Sequence, residues 1–136
     1  MTDESPSKYA ADILPEQAWE WVQRGEAVLV DVRSDAEREW VGAVPGALAV
    51  PLKQWPGMAM NPDFDATLLA QVPVGSKKLL MLCRSGVRSM AAAERATALG
   101  YEAYNVLEGF EGPLDENGHR GTLGGWRKRG LPWVQR

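Results

Sequence analysis

Leu79-Leu80-Met81-Leu82-Cys83-Arg84-Ser85-Gly86-Val87-Arg88-Ser89 is the stretch that decides how this chain folds. Four apolar residues, the length of a buried strand, run into the single cysteine of the sequence. A loop with one glycine and two arginines follows, then an alanine-rich segment, Met90 to Leu99, with the composition of a helix. Backbone N–H groups at a helix start lack intrahelical partners and attract negative charge. With two guanidinium groups nearby, a thiol placed there is expected as its anion, a nucleophile at neutral pH.

Outward from this stretch the pattern repeats. Leu14-Pro15-Glu16-Gln17 reads as a helix start, with Leu14, Ala18, Trp19 and Val22 on one face and Gly25 as the stop. Residues 27–32 form a valine-rich run suited to a strand buried on both faces. Helices are predicted over 35–40 and 64–71, the second with Asp63 as its cap. Short strands are predicted over 47–50 and 102–107. Residues 53–63, carrying Trp55, read as a loop, 108–125 as glycine-rich irregular chain, and 126–129 as a short helix. Strands alternating with helices predict an α/β fold, a parallel sheet with right-handed crossovers and helices on both faces. Sites in such sheets form beyond the carboxyl ends of the strands. Asp31, Arg33, Cys83 and the segment after Leu107 all fall there.

Composition narrows the functional classes. The chain has 136 residues and a formal net charge of -3, with hydrophobic residues at 45%. These values suit one domain, 12–136, behind a loose tail, 1–11. They give no electrostatic reason to expect nucleic acid or an anionic membrane as a partner. One cysteine excludes an internal disulfide and a multi-cysteine metal cage, so no metal is expected. A polar, acidic start without an apolar stretch reads as a cytoplasmic protein.

Four blocks, in order, resemble a single-domain rhodanese, a sulfurtransferase. They are Leu29-Val30-Asp31-Val32-Arg33 followed by Glu37; Gly42-Ala43-Val44-Pro45-Gly46-Ala47; Cys83 to Ser89; and Leu107-Glu108-Gly109-Phe110 with Gly125-Trp126 and Gly130-Leu131-Pro132. The resemblance runs from about Leu14 to Trp133 and implies a rhodanese-like sheet of about five strands. Ala43 stands where that family usually has histidine, and one extra residue precedes Gly42. Residues 111–124 look like an insertion, and the 53–63 loop is long. Both are expected to reshape the mouth of the site.

The resemblance implies that Cys83 is catalytic and carries a persulfide. Arg84, Ser85, Gly86, Val87 and Arg88 would cradle it, their N–H groups converging on the sulfur. Gly86 supplies the positive φ of so tight a loop. Arg84 and Arg88 would hold a doubly charged donor such as thiosulfate. A thiol or cyanide would accept the sulfur in a ping-pong reaction without a cofactor. Asp31 is expected to anchor the loop. Arg33 is expected to pair with Asp31 or Glu37, both in supporting roles. Ser85 and Ser89 are expected as caps, His119 as a surface residue, Trp126 as packing, and Arg127-Lys128-Arg129 as a solvated face. Two rivals are weighed. A phosphatase or arsenate reductase on this fold resembles Cys-x5-Arg, one residue longer than the Cys-x4-Arg here. A sulfur-relay module would take its persulfide from a partner protein, and needs the same reactive Cys83.

Overall fold

A computed structural model describes residues 8–54 and 59–135. Five parallel strands form the central sheet: β1 (Ala11–Ile13), β2 (Ala27–Asp31), β3 (Leu48–Ala49), β6 (Lys78–Leu82) and β7 (Ala103–Val106). Their spatial order is β1-β7-β6-β2-β3. Two further strands, β4 (Lys53–Gln54) and β5 (Ala59–Met60), pair as an antiparallel hairpin. The helices are α1 (Pro15–Gln23), α2 (Asp35–Val41), α3 (Phe64–Gln71) and α4 (Arg88–Ala98).

Side-chain alternation divides the core into two layers. Val30, Val32, Leu79, Met81 and Cys83 point to one face and pack with Phe64 and Leu68 of α3 and Ala92, Ala93 and Ala96 of α4. Leu29, Leu80, Leu82 and Val106 point to the other and pack with Ala18 of α1, Phe110 and Trp126. Small residues on the inner face of α4 let the helix lie close to the sheet. That proximity fixes the distance between its first turn and the end of β6. Central β2 and β6 are covered on both sides, which explains their continuous apolar sequence.

Four local expectations are corrected. Ala11 belongs to β1, inside the stretch expected to be tail. β1 pairs with β7 along an edge, where Ala11 and Asp12 are exposed and leave no apolar signature. The β4–β5 hairpin stands within the expected 53–63 loop, while Trp55 lies outside the described residues. Residues 126–130 form a turn instead of a helix, too short to propagate one. Asp63 makes no side-chain cap to α3. Trp126 is packing, as expected: it is fully buried, meets Trp19 edge-on at 5.9 Å and donates its indole N–H to Pro132 O.

The basic run at 127–129 is not simply a solvated face. Arg129 binds both Glu108 and Glu16, joining the turn after β7 to α1. Those hydrogen bonds hold the Glu108 carboxyl below its usual range. Arg127 lies over the Phe110 and Trp133 rings. Among the described residues no helix is long and apolar enough to cross a membrane.

Candidate active site

Cys83 follows β6 directly, at the carboxyl edge of the two central strands, and is 1% exposed. Residues 84–87 then bend into α4. Gly86 takes φ +101°, a left-handed value that favours glycine, and its N–H points back at Cys83 Sγ from 3.1 Å. The family resemblance implied several N–H groups converging on the sulfur. Among the described residues, Gly86 is the one backbone donor within hydrogen-bond reach of it.

A second loop supports the first from below. Phe110 N donates to Cys83 O at 2.8 Å and Glu111 N to Arg84 O at 2.9 Å. Gly109 makes this contact possible. A Cβ there would stand 2.6 Å from the backbone of Cys83, Arg84 and Ser85. The glycine-rich run after β7 is therefore the platform under the active loop.

Ser89 is a partner of the sulfur, not a cap. Its Oγ lies 3.2 Å from Cys83 Sγ and donates to Asn105 Oδ1 at 2.5 Å. Asn105 Nδ2 donates to Asp12 Oδ1 at 3.0 Å, and Tyr9 OH donates to the same oxygen at 2.8 Å. Burial first, and Asp12 second, push the Tyr9 hydroxyl up to about 12. The Asp12 carboxylate accepts only, so it fixes which end of the Asn105 amide faces Ser89. The single Ser89 proton then goes to Asn105, leaving a lone pair toward the sulfur. Ser85 likewise caps nothing: α4 begins after Val87 with no side-chain cap.

Glu37 enters from α2. Ser34 and Glu37 form a capping box, with Ser34 Oγ accepting from Glu37 N and Glu37 Oε1 accepting from Ser34 N. The same carboxylate holds Arg88 in a fork, with Nη1 and Nη2 each 2.6 Å from one oxygen. Burial alone would raise the Glu37 carboxyl; Arg88 and Ser34 outweigh it and hold it at about 2. Those Glu37 hydrogen bonds in turn push the Arg88 guanidinium above its ordinary value, against burial.

Above Cys83 opens a cavity of about 540 Å³. Trp40, Val41, Ala36 and Val87 give it apolar walls, and Arg84, Arg88, Arg120, Glu37 and Glu111 give it charge. Its volume falls within the range of about 300–1,000 Å³ that holds organic ligands. The sequence placed Cys83, Arg84, Ser85, Val87 and Arg88 here, and all five line it.

Asp31 and Arg33 do not line the cavity. Both are fully buried and paired at 2.6 Å. Arg33 Nη2 also donates to Gly42 O, and its guanidinium lies 4.3 Å from the Phe110 ring centre. The expectation that Asp31 anchors the active loop is thus corrected, since its carboxylate is occupied by Arg33. His119 is exposed in the insertion.

Sequence reasoning gave no role to Trp40, Asn105 or Glu111, and named Glu37 only as a partner for Arg33. Two signals were present. Ser34-x-x-Glu37 marks a helix start just beyond β2, at the same sheet edge as Cys83. Asn105 is a lone amide in an apolar strand. Among the described residues no cluster of three or more histidine, cysteine or acidic side chains is placed to hold a metal.

A parallel α/β sheet with a cysteine loop between its central strand and a helix defines the class of protein, and comparison with known proteins supplies the family. The Rhodanese-like domain family model matches residues 14–115. The chain belongs to the rhodanese-like, sulfurtransferase family. It is 30% identical over 122 residues to the thiosulfate sulfurtransferase GlpE of Actinobacillus succinogenes, covering 89% of this chain and 87% of that one. A Rickettsia conorii protein is 34% identical over 116 residues, covering 82% and 86%. The crystal structure of Rv0390 from M. tuberculosis superposes with a TM-score of 0.85 at 46% identity, covering 94% of this chain and 99% of that one.

Proposed function

We propose that this protein moves a sulfane sulfur from thiosulfate or a related anion to a thiol or cyanide through a persulfide on Cys83. The observation that carries this reading is the seat of Cys83. Its sulfur lies at the floor of a charged cavity, at a strand end, and receives the Gly86 N–H at 3.1 Å. In the first half-reaction the Cys83 thiolate attacks the outer sulfur of thiosulfate. A new S–S bond forms, the S–S bond of the donor breaks, and sulfite leaves with the electron pair. In the second, the acceptor attacks that outer sulfur and Cys83 departs as thiolate. The reaction as written requires no metal or cofactor.

The experiment is an intact mass after incubation with thiosulfate. A gain of one sulfur atom, reversed by cyanide and absent in Cys83→Ser, is the expected result. No gain on the native protein overturns the reading.

A second reading is a relay module that takes its persulfide from a partner protein. Trp40 and Val87 favour it, since they line the cavity yet are 69% and 66% exposed, as apolar contacts for a partner would be. Sulfur uptake from a protein persulfide but not from thiosulfate would select it. The phosphatase reading is disfavoured by Arg88, whose fork is engaged by Glu37.

A further inference from the structure

Three arginines line the cavity over Cys83, and two of them already hold carboxylates. Arg88 grips both oxygens of Glu37. Arg84 Nε lies 3.3 Å from Glu111 Oε2. Arg120 has no carboxylate partner among the described residues: its one hydrogen bond runs from Nη1 to Gly112 O at 2.8 Å. Its Nε is buried without a partner among the described residues. Among the described residues, Arg120 is therefore the one of the three cavity arginines without a carboxylate partner.

A buried guanidinium N–H without an acceptor is costly, and an anionic ligand would supply one. The placement of Arg120 is built, not incidental. Asp115 closes the insertion on itself, accepting from Asn117 N, His119 N and Thr122 Oγ1. Gly121 N donates to Glu111 O at 2.8 Å, pinning the insertion beside Arg84. Arg120 lies beyond residues 14–115, the span matched by the family model.

We infer that Arg120 is the anion-recognition residue of this cavity: it binds the oxyanion end of the sulfur donor and sets donor specificity, while Arg84 and Arg88 hold the loop in shape. The inference rests on the sulfurtransferase reading for the identity of the donor. The charge argument itself holds for any anion that approaches Cys83.

The test compares two alkylating probes, anionic iodoacetate and neutral iodoacetamide, on the full chain. In each, the Cys83 thiolate displaces iodide from the same CH₂ group, so the ratio of rates reports anion recognition alone. Arg120→Gln is expected to lower the iodoacetate-to-iodoacetamide ratio about tenfold, the loss of one charge-assisted hydrogen bond. Arg120→Lys is expected to keep the ratio within about threefold. The KM for thiosulfate should rise about tenfold in Arg120→Gln, and the wild-type preference for iodoacetate should weaken with salt.

An unchanged ratio in Arg120→Gln overturns the inference, including the case in which both rates fall together. So does a lysine variant as poor as the glutamine one, since the role would then be shape and not charge. If the ratio falls but the wild type takes no sulfur from thiosulfate, the anion site stands and the sulfurtransferase reading fails.

Discussion

Replacing Glu37 by glutamine removes the charge that joins α2 to the active loop. In the folded protein this carboxyl drops from an ordinary 4.5 to about 2. At roughly 1.4 kcal/mol per tenfold, that corresponds to about 3 kcal/mol of linked stability. Water reaches both partners, whose side chains are 17% and 20% exposed, so screening reduces the figure to about 2 kcal/mol. The folded value is depressed. The contribution is therefore complete above 4.5, the unfolded value, and is lost as pH falls toward about 2. Glu37→Gln is expected to lower the unfolding free energy at pH 7 by about 2 kcal/mol, or Tm by about 6 °C. Urea titrations at a series of pH values read this directly. The gap between wild type and variant should narrow below about pH 4.5 and be about half closed near pH 3. Equal urea midpoints at neutral pH, or a gap unchanged at pH 3, would refute the argument that the fork ties the loop down.

Two further substitutions test the scaffold beneath Cys83. Gly109→Ala sets a Cβ 2.6 Å from the backbone of Cys83, Arg84 and Ser85 at φ +64°; we expect a loss of more than about 2 kcal/mol in urea unfolding together with a sharp fall in persulfide yield. Asn105→Leu removes the acceptor of the Ser89 proton, which then turns to the sulfur; iodoacetamide should label Cys83 faster at neutral pH, although stability falls by about 1–2 kcal/mol. Slower labelling in that variant would count against the assigned direction of the Ser89 hydroxyl.

Much of the scaffold was legible because its signals are local. The apolar run into Cys83 is a strand since both faces of β6 are covered, and the alanines of α4 mark a helix laid close against the sheet. Gly86 announced a left-handed turn. β1 was illegible for the opposite reason: it is three residues long, largely exposed at an edge, and held by hydrogen bonds to β7 that leave no trace in side-chain chemistry. The turn at 126–130 carries helix-forming residues, yet its backbone is drawn to Gly109 and Phe110.

Taken alone, the sequence determined the alternation of strands and helices, the parallel sheet and the station of Cys83 at a strand end, because periodicity and turn chemistry act between near neighbours. Which charges meet was decided by the tertiary structure. Arg88 finds Glu37 across 51 positions, and Glu111 takes Arg84, leaving Arg120 at the cavity without a carboxylate partner among the described residues. Electrostatic pairing depends on distance in space, and that distance exists only once the sheet has brought its carboxyl ends together.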